Sequence, residues 1–372
     1  MKIIRTILKI LAKISSTIDK IYPKQKNLII FGSNTGQYPS GNPQAIYKYI
    51  QENNTPWEGI YYLPLQEKTI ISKIIYILKK SHKFYKAQYL ISSHPTNDFI
   101  PLHWSKKKKL INVWHGTPLK SLFYTDHGET PENLKIIDQL TQETDIFTVS
   151  SPLEAQLIKK CFHMPQDKIH CTGHPRNDYK KPSQALKELP SYKKLILYCP
   201  TYRRGKPTQF FPFPDMDFQN LNQYLEKENI LLLIRGHINH TQDETSIYST
   251  RIIDYGFNKC PDINSILPEI DILITDYSSI YIDYLTLNKP CLFIPYDLDT
   301  YKKERGLLLE DYDYWAPGPK IKTYKQFINN IKELINNNDE YTKQREEVSN
   351  KFHQCQTGNS TIKILKLMEK EL

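Results

Sequence analysis

The chain has 372 residues, 39% hydrophobic and 24% charged, which is enough for two domains with their own cores and excludes a disordered polyelectrolyte. Its 50 Lys and Arg against 40 Asp and Glu leave a net charge of +10. That charge demands an anionic partner, and nucleic acid, an anionic lipid surface and a phosphorylated substrate would all serve.

Residues 1–22 carry Ile3, Ile4, Ile7, Leu8, Leu11, Ile14, Ile18 and Ile21 at helical spacing, with Lys2, Arg5, Lys9, Lys13 and Lys20 on another face. No uninterrupted apolar core is present, which rules out a secretory leader and a spanning helix. Two readings stay open on this stretch alone. It is a basic amphipathic helix lying in a membrane interface, or a first helix packed on the core with its lysines in water. The motifs further on favour the membrane.

Strand and helix patterns then alternate. Apolar runs at 27–33, 59–65, 87–93, 110–116, 145–151 and 168–173 are separated by helical patterns from about Pro43, at 69–80, at 131–142 and from Pro152. Buried runs alternating with helices are what a parallel, doubly wound sheet requires. Two prolines and mixed charge at 180–193 mark a boundary. The alternation restarts with strands at 194–201, 230–236, 251–255, 271–279 and 290–296 and helices at 217–229 and 280–288. Three helices at 323–337, 340–354 and 359–371 close the chain. The expected division is an amphipathic helix over 1–22, a Rossmann-like domain over 23–185 and a second one over 186–372 with the closing helices. Two such domains facing each other leave a cleft at the carboxyl ends of their strands, where ligands bind in these sheets.

Cys161, Cys171, Cys199, Cys260, Cys291 and Cys355 form no C-x-x-C pair and no zinc-spaced Cys/His cluster. They are expected to be reduced core residues of a cytoplasmic protein, without disulfides.

The chemistry-bearing residues gather where strands run into loops. His115, in Trp114-His115-Gly116-Thr117-Pro118, follows a buried strand directly and is held by glycine and proline, a suitable base for a hydroxyl near neutral pH. Arg176, in Gly173-His174-Pro175-Arg176-Asn177-Asp178, can offer a planar fork to phosphate, the plainer reading being a surface arginine capped by Asp178. Pro200 and Thr201 open the second domain, followed by Arg203 and Arg204, which read equally well as a solvated charge pair. Arg235-Gly236-His237 aims two donors in one direction, suited to a diphosphate. Asp276-Tyr277-Ser278-Ser279 starts a helix, so its N-terminus and two hydroxyls form a phosphate cradle, with Asp283 one turn on for ribose hydroxyls. A capping pair is the alternative for the serines. Asp215 and Asp217 have metal-binding D-x-D spacing but lie in a proline-rich loop, and are read as helix caps; no metal is expected.

In combination, NVWHGTPLKSL, GHPRND, YCPTYR, RGH and DILITDYSSIYIDY followed by KPCLFIPYDLDTYKKERGL resemble the CDP-glycerol glycerophosphotransferase family, which builds wall teichoic acids and some capsules. The pieces fall in the family's order over residues 110–310, and the first hundred residues match only in general character. The resemblance implies a two-Rossmann GT-B-type α/β fold and peripheral attachment at the cytoplasmic face of the cell membrane. It implies no cofactor, CDP-glycerol as donor, and an undecaprenyl-linked glycan or teichoic acid chain as acceptor. His115 would be the base on the acceptor hydroxyl, and His237 would bind or stabilise the transferring phosphate. Donor contacts would map onto Trp114, Gly116, Thr117, Pro118, Arg176, Pro200, Thr201, Arg235, Gly236, Ser278, Ser279 and Asp283. Gly236 stands where a larger residue is usual and Tyr202 where tryptophan is common; neither departure removes a charged or catalytic group. The chain lacks the long N-terminal extension of the large polymerases, as primase-like members do.

The expected reaction is in-line attack of the acceptor hydroxyl on the β-phosphorus with loss of CMP, driven by positioning and charge stabilisation. Rival readings are a ribitol-phosphate transferase, a GT-B glycosyltransferase with another nucleotide donor, a basic RNA-binding protein and a membrane scaffold. RNA binding is disfavoured because the cations sit at strand-end loops with no stacking motif. A scaffold would have no use for two histidines and a serine pair at strand ends. Nothing in the sequence argues against a homo-oligomer.

Overall fold

The computed structural model describes residues 2–63, 81–100, 102–178, 184–201, 203, 209–236 and 247–370, with helical side chains described from Ala12 onward. The helix expected at 69–80 lies outside the described residues, as do Tyr202, Arg204 and His237.

Among the described residues eleven strands form two sheets, and every pairing between these strands is parallel. The first contains β1 (Gln25–Gly32), β2 (Glu58–Tyr61), β3 (Ala87–Ser92), β4 (Lys109–Asn112), β5 (Thr144–Val149) and β6 (Ile169–Cys171), in the order β2-β1-β3-β4-β5-β6. The second contains β7 (Lys194–Tyr198), β8 (Ile230–Ile234), β9 (Ile252–Asp254), β10 (Ile272–Thr275) and β11 (Cys291–Phe293), in the order β11-β10-β7-β8-β9. The inner strands of the second sheet, β7, β8 and β10, are short Ile/Leu-rich runs buried on both faces, as helix-covered parallel sheets demand. Strand order reverses between β1 and β3 in the first sheet and between β7 and β10 in the second. Such reversals open the crevice in which doubly wound sheets hold ligands.

The chain divides into two compact units, 1–115 with 129–179 and 354–372, and 116–128 with 180–353. This departs from a simple division at residue 185. The last helix, Ser360–Lys370, was expected to close the second domain, but it packs in the first unit. Ile364, Leu365 and Met368 join the core around Ile29, Phe31 and Tyr89, and the Tyr89 hydroxyl donates to the Met368 carbonyl at 2.8 Å. The segment after His115 belongs to the second unit. There Lys120 bridges to Leu307, Ser121 N–H donates to Gly306 O at 3.1 Å, and Asp126 pairs with Arg305.

The expectation of six reduced cysteines is overturned. Cys171, at the end of β6, and Cys355 form a disulfide with Sγ–Sγ 2.01 Å and Cα–Cα 5.8 Å, while Cys161, Cys199, Cys260 and Cys291 are buried thiols. The partners stand 184 positions apart, so no local spacing pattern announces the pair. Cysteine usage therefore gives no support to a cytoplasmic location.

The first helix, Lys2–Ile21, turns an unexpected face to the protein. Two of its polar residues, Ser15 and Asp19, are buried: Ser15 Oγ donates to His103 O at 2.8 Å, half-buried Ser16 Oγ donates to Trp104 O at 3.1 Å, and Asp19 pairs with Lys24 and Lys108, each at 2.7 Å. Burial pushes Lys108 down to about 7 against the opposing pull of Asp19. Meanwhile Ile14, Ile18 and Ile21 are 52%, 36% and 78% exposed. Over this stretch the helix packs on the domain through Ser15 and Asp19, while Lys13 and Lys20 face water as the packed-helix reading expected and Ile14, Ile18 and Ile21 stay outside. No described helix is long and apolar enough to cross a membrane.

Candidate functional site

In the first unit the loops after β3, β4 and β6 converge. Trp114 follows β4 with a left-handed backbone, φ 47°, held by its N–H donating to Asn112 Oδ1 at 3.1 Å. A non-glycine residue in this region is costly unless its surroundings impose it, and such residues cluster at functional sites. The turn brings His115 to the surface with its ring 4.0 Å from that of Trp114 and Nδ1 3.2 Å from Ser93 O. A carbonyl only accepts, so Nδ1 carries the proton of the neutral ring and the basic lone pair lies on Nε2.

Behind this turn Asn42, fully buried at the start of helix Gly41–Glu52, ties two loops together. Its Nδ2 donates to Val113 O at 2.7 Å and lies 3.3 Å from His174 Nδ1, and its Oδ1 accepts from Arg176 N–H at 3.2 Å. His174 Nε2 in turn meets Glu154 at 3.0 Å. Burial alone would raise the Glu154 carboxyl, but His174 and the Ser150 N–H and hydroxyl hold it down at about 2. Arg176 is buried, not a surface arginine, and Asp178 does not cap it. Asp178 accepts from Gln356 and from Ser360 N–H, the latter at 2.5 Å.

The β1/β3 crevice of this unit is occupied from within. Asp98 Oδ2 accepts from Ser92 Oγ at 2.5 Å and His94 N–H at 2.9 Å. A Cβ on Gly32 would stand 2.6 Å from Asp98 Cβ. A carboxylate, which burial raises to about 6, thus takes the place an anion would need here.

The second unit has the opposite character. At the β7/β10 reversal Thr201 N–H donates to Asp276 Oδ1 at 2.8 Å, and Asp276 Oδ2 pairs with Arg203 Nη1 at 2.8 Å. Arg203 also grips Asp297 in a two-pronged pair, 2.8 Å in each arm, beside the rings of Tyr277, Tyr296 and Tyr301. It is 5% exposed. The solvated-charge reading of Arg203 is therefore wrong: it staples the loops after β7, β10 and β11. Burial acts to lower its pKa, but Asp297 and Asp276 reverse this and hold it above the ordinary value.

Among its described residues the same unit holds two buried hydroxyls without a protein partner. The hydroxyls of Thr117 and Thr201 are buried and make no hydrogen bond, a state that normally costs about 1–3 kcal/mol and suits atoms meant for a ligand. Ser279 precedes helix Ile280–Leu285 without a side-chain capping bond, so the capping-pair reading does not hold for it. A Cβ on Gly116 would sit 3.0 Å from Ser279 Oγ, so the absent side chain lets this backbone approach the serine. Arg235 donates to Cys260 O at 2.5 Å, with Gly236 beside it after β8. Pro200 and Ser278 flank the reversal half-buried, Pro118 lies buried beside Thr117, and Asp283 is buried one turn into the helix. Asp217 caps helix Phe218–Lys227, and Asp215 accepts from Tyr324 N–H at 2.7 Å, so both act as caps as expected.

Lys120 completes the cationic set. Burial, Arg305 and Arg203 push its ammonium down to about 8, with Asp276 opposing them. An ammonium attracts an anionic donor only while protonated. Binding of an anionic ligand beside Lys120 should therefore weaken as pH rises through about 8, and Lys120→Arg should abolish that alkaline limb. An unchanged limb in Lys120→Arg would assign it to another group.

The sequence singled out His115, Arg176, Thr201 and the serine pair. It missed Asn42, His94, Asp276 and Asp297, whose roles are contacts between distant loops. Asp276 and Asp297 stood inside recognised motifs, whereas Asn42 carried no local signal.

Two Rossmann-like parallel sheets with polar groups at the carboxyl ends of their strands define a GT-B-like α/β scaffold. The model of the CDP-glycerol:poly(glycerophosphate) glycerophosphotransferases matches residues 14–370, and the chain belongs to that family of enzymes, which transfer glycerol phosphate from CDP-glycerol in teichoic acid synthesis. It is 28% identical over 394 residues to the teichoic acid glycerol-phosphate transferase of Staphylococcus aureus, covering 96% of this chain and 97% of that protein. It is also 28% identical over 372 residues to the teichoic acid poly(glycerol phosphate) polymerase of Bacillus subtilis, covering 92% of this chain and 48% of that protein. A solved structure of the wall teichoic acid polymerase TagF shares the fold, with TM-score 0.76, 24% identity and coverage of 99% and 95% of the two chains.

Proposed function

We propose that the chain transfers glycerol phosphate from CDP-glycerol to a hydroxyl of a membrane-linked teichoic acid or related acceptor at the cytoplasmic face of the membrane. His115 Nε2 takes the proton of the acceptor hydroxyl as its oxygen bonds to the β-phosphorus. The bond from that phosphorus to the bridging oxygen breaks, and CMP leaves with the electron pair. Thr117, Thr201, Ser278, Ser279, Arg235 and Lys120 hold the phosphates, and Asp283 receives ribose hydroxyls. Arg176 and His237 stabilise the transferring group, Gly116 and Gly236 open backbone to it, and Trp114, Pro118 and Pro200 shape the pocket. Little covalent chemistry is asked of the protein; positioning and charge stabilisation carry the rate.

The observation that carries this reading is the anchoring of His115 Nδ1 on Ser93 O, which fixes Nε2 as the proton acceptor. Measuring CMP and CDP release from CDP-glycerol, CDP-ribitol and sugar nucleotides separates the family reaction from its rivals. CMP from CDP-glycerol is expected, and CDP release from a sugar nucleotide in its place would overturn the reading.

Support for the membrane comes from the outward face Ile14, Ile18 and Ile21, flanked by exposed Lys13 and Lys20. An apolar cavity of about 730 Å³ lies against the same helix, lined by Ala12, Phe99, Ile100, Trp104 and Ile136 among others. Changing Ile14, Ile18 and Ile21 together to glutamine should weaken partition onto anionic liposomes by about tenfold or more. Transfer to a soluble acceptor should be preserved. Deleting the helix is a poorer test, because it removes Asp19 from buried Lys108. Wild-type partition of the triple variant would refute the interfacial helix.

A further inference from the structure

His94 is the least explained group near the base. It follows β3, and its ring lies parallel to that of His115, centroids 4.0 Å apart and planes 7° from coincident. Ser93 binds both rings: its hydroxyl is 3.0 Å from His94 Nδ1, and its carbonyl is 3.2 Å from His115 Nδ1. The His94 backbone is pinned by Asp98, which accepts its N–H at 2.9 Å. Trp114 touches the His115 ring at a centroid distance of 4.0 Å and lies 6.4 Å from His94. His115 is thus packed against two aromatic rings and tethered at one nitrogen.

We propose that His94 is a positioning residue for the base. Its ring fixes the plane of the His115 imidazole and gives the imidazolium a π face when the acceptor proton arrives. This rests on the assignment of proton transfer to His115.

Two imidazoles this close cannot both be protonated without repulsion. Burial pushes His94 down to about 4, so His94 is held neutral beside His115. The other ionisable groups on the surrounding elements are already engaged. Asp98 is held by Ser92 and the His94 backbone. His174, Glu154 and Arg176 are joined through Asn42 to the carbonyls behind Trp114. A cation over an aromatic face is favoured, so the stack should raise the basicity of His115 as well as orient it.

The test is the acid limb of kcat/KM for CMP release by the full chain, with the His115 imidazole titrated in parallel by NMR. Loss of the limb in His115→Gln first establishes that it belongs to His115; its persistence there would overturn the base assignment itself. Given that loss, His94→Ala should move the limb and the NMR titration to lower pH and reduce kcat by about three- to tenfold, with donor KM little changed. His94→Phe, which keeps a ring but no titrating nitrogen, should restore both. Wild-type limb and kcat in His94→Ala would overturn the proposal. So would a phenylalanine variant as impaired as the alanine variant, since that would assign the effect to the imidazole nitrogen and not to the ring face.

Discussion

His115→Ala should slow CMP release from CDP-glycerol by about two to four powers of ten while the donor still binds. The size follows from what is removed. An alditol hydroxyl is a poor nucleophile until its proton has somewhere to go, and the tautomer set by Ser93 places the accepting lone pair on Nε2. Trp114 and His94 hold the ring, so alanine there removes the proton acceptor and leaves the loop's framework in place. Asn42 keeps its bonds to the carbonyls of Val113 and Trp114. The donor phosphates are assigned to the second unit, so isothermal titration with CDP-glycerol should give nearly the wild-type affinity. Near-wild-type turnover in His115→Ala would contradict the assignment, and lost donor binding would make His115 a donor ligand first.

The second large effect is on stability. Arg203→Met should cost about 3–5 kcal/mol, the usual penalty for removing one member of a buried ion-pair network. Arg203 is paired to both Asp276 and Asp297, and Asp297 also accepts from the Tyr277 hydroxyl at 3.0 Å. Methionine fills much of the same volume but leaves two carboxylates without their cation. Thr201 N–H depends on Asp276, so the orphaned hydroxyl of Thr201 would lose its position as well. Thermal unfolding should show the loss, and weaker donor binding should accompany it at temperatures where the variant is folded. A melting temperature equal to wild type would mean the pairs only break even against their desolvation.

The two sheets were legible because each strand is a short apolar run ending in polar or glycine-bearing residues, as in NLIIFG before Ser33 and DILIT before Asp276. His115 was legible for the same reason, a histidine pinned between a buried strand and a Gly-Thr-Pro turn. Contacts between distant parts of the chain were not. Cys171 and Cys355 give no spacing signal, and the last helix shows an ordinary amphipathic pattern that does not say which sheet it covers. Arg203 looked like half of a solvated Arg-Arg pair because its partners lie 73 and 94 positions away. His94 sits in an unremarkable Ser-His-Pro turn until β3 and β4 are placed side by side. The first helix misled in another way. Its period was right, but Ser15 and Asp19 are the inward residues because His103, Trp104, Ser105 and Lys108 offer them polar partners.

The most direct measurement is the mass of a defined lipid-linked acceptor after incubation with the full chain and CDP-glycerol, with CMP quantified in the same reaction. Acceptor molecules heavier by whole glycerol phosphate units, with one CMP released per unit added, are the expected result. An acceptor of unchanged mass, or CMP released into solution without any glycerol phosphate appearing on the acceptor, would contradict glycerol phosphate transfer as the function of this chain.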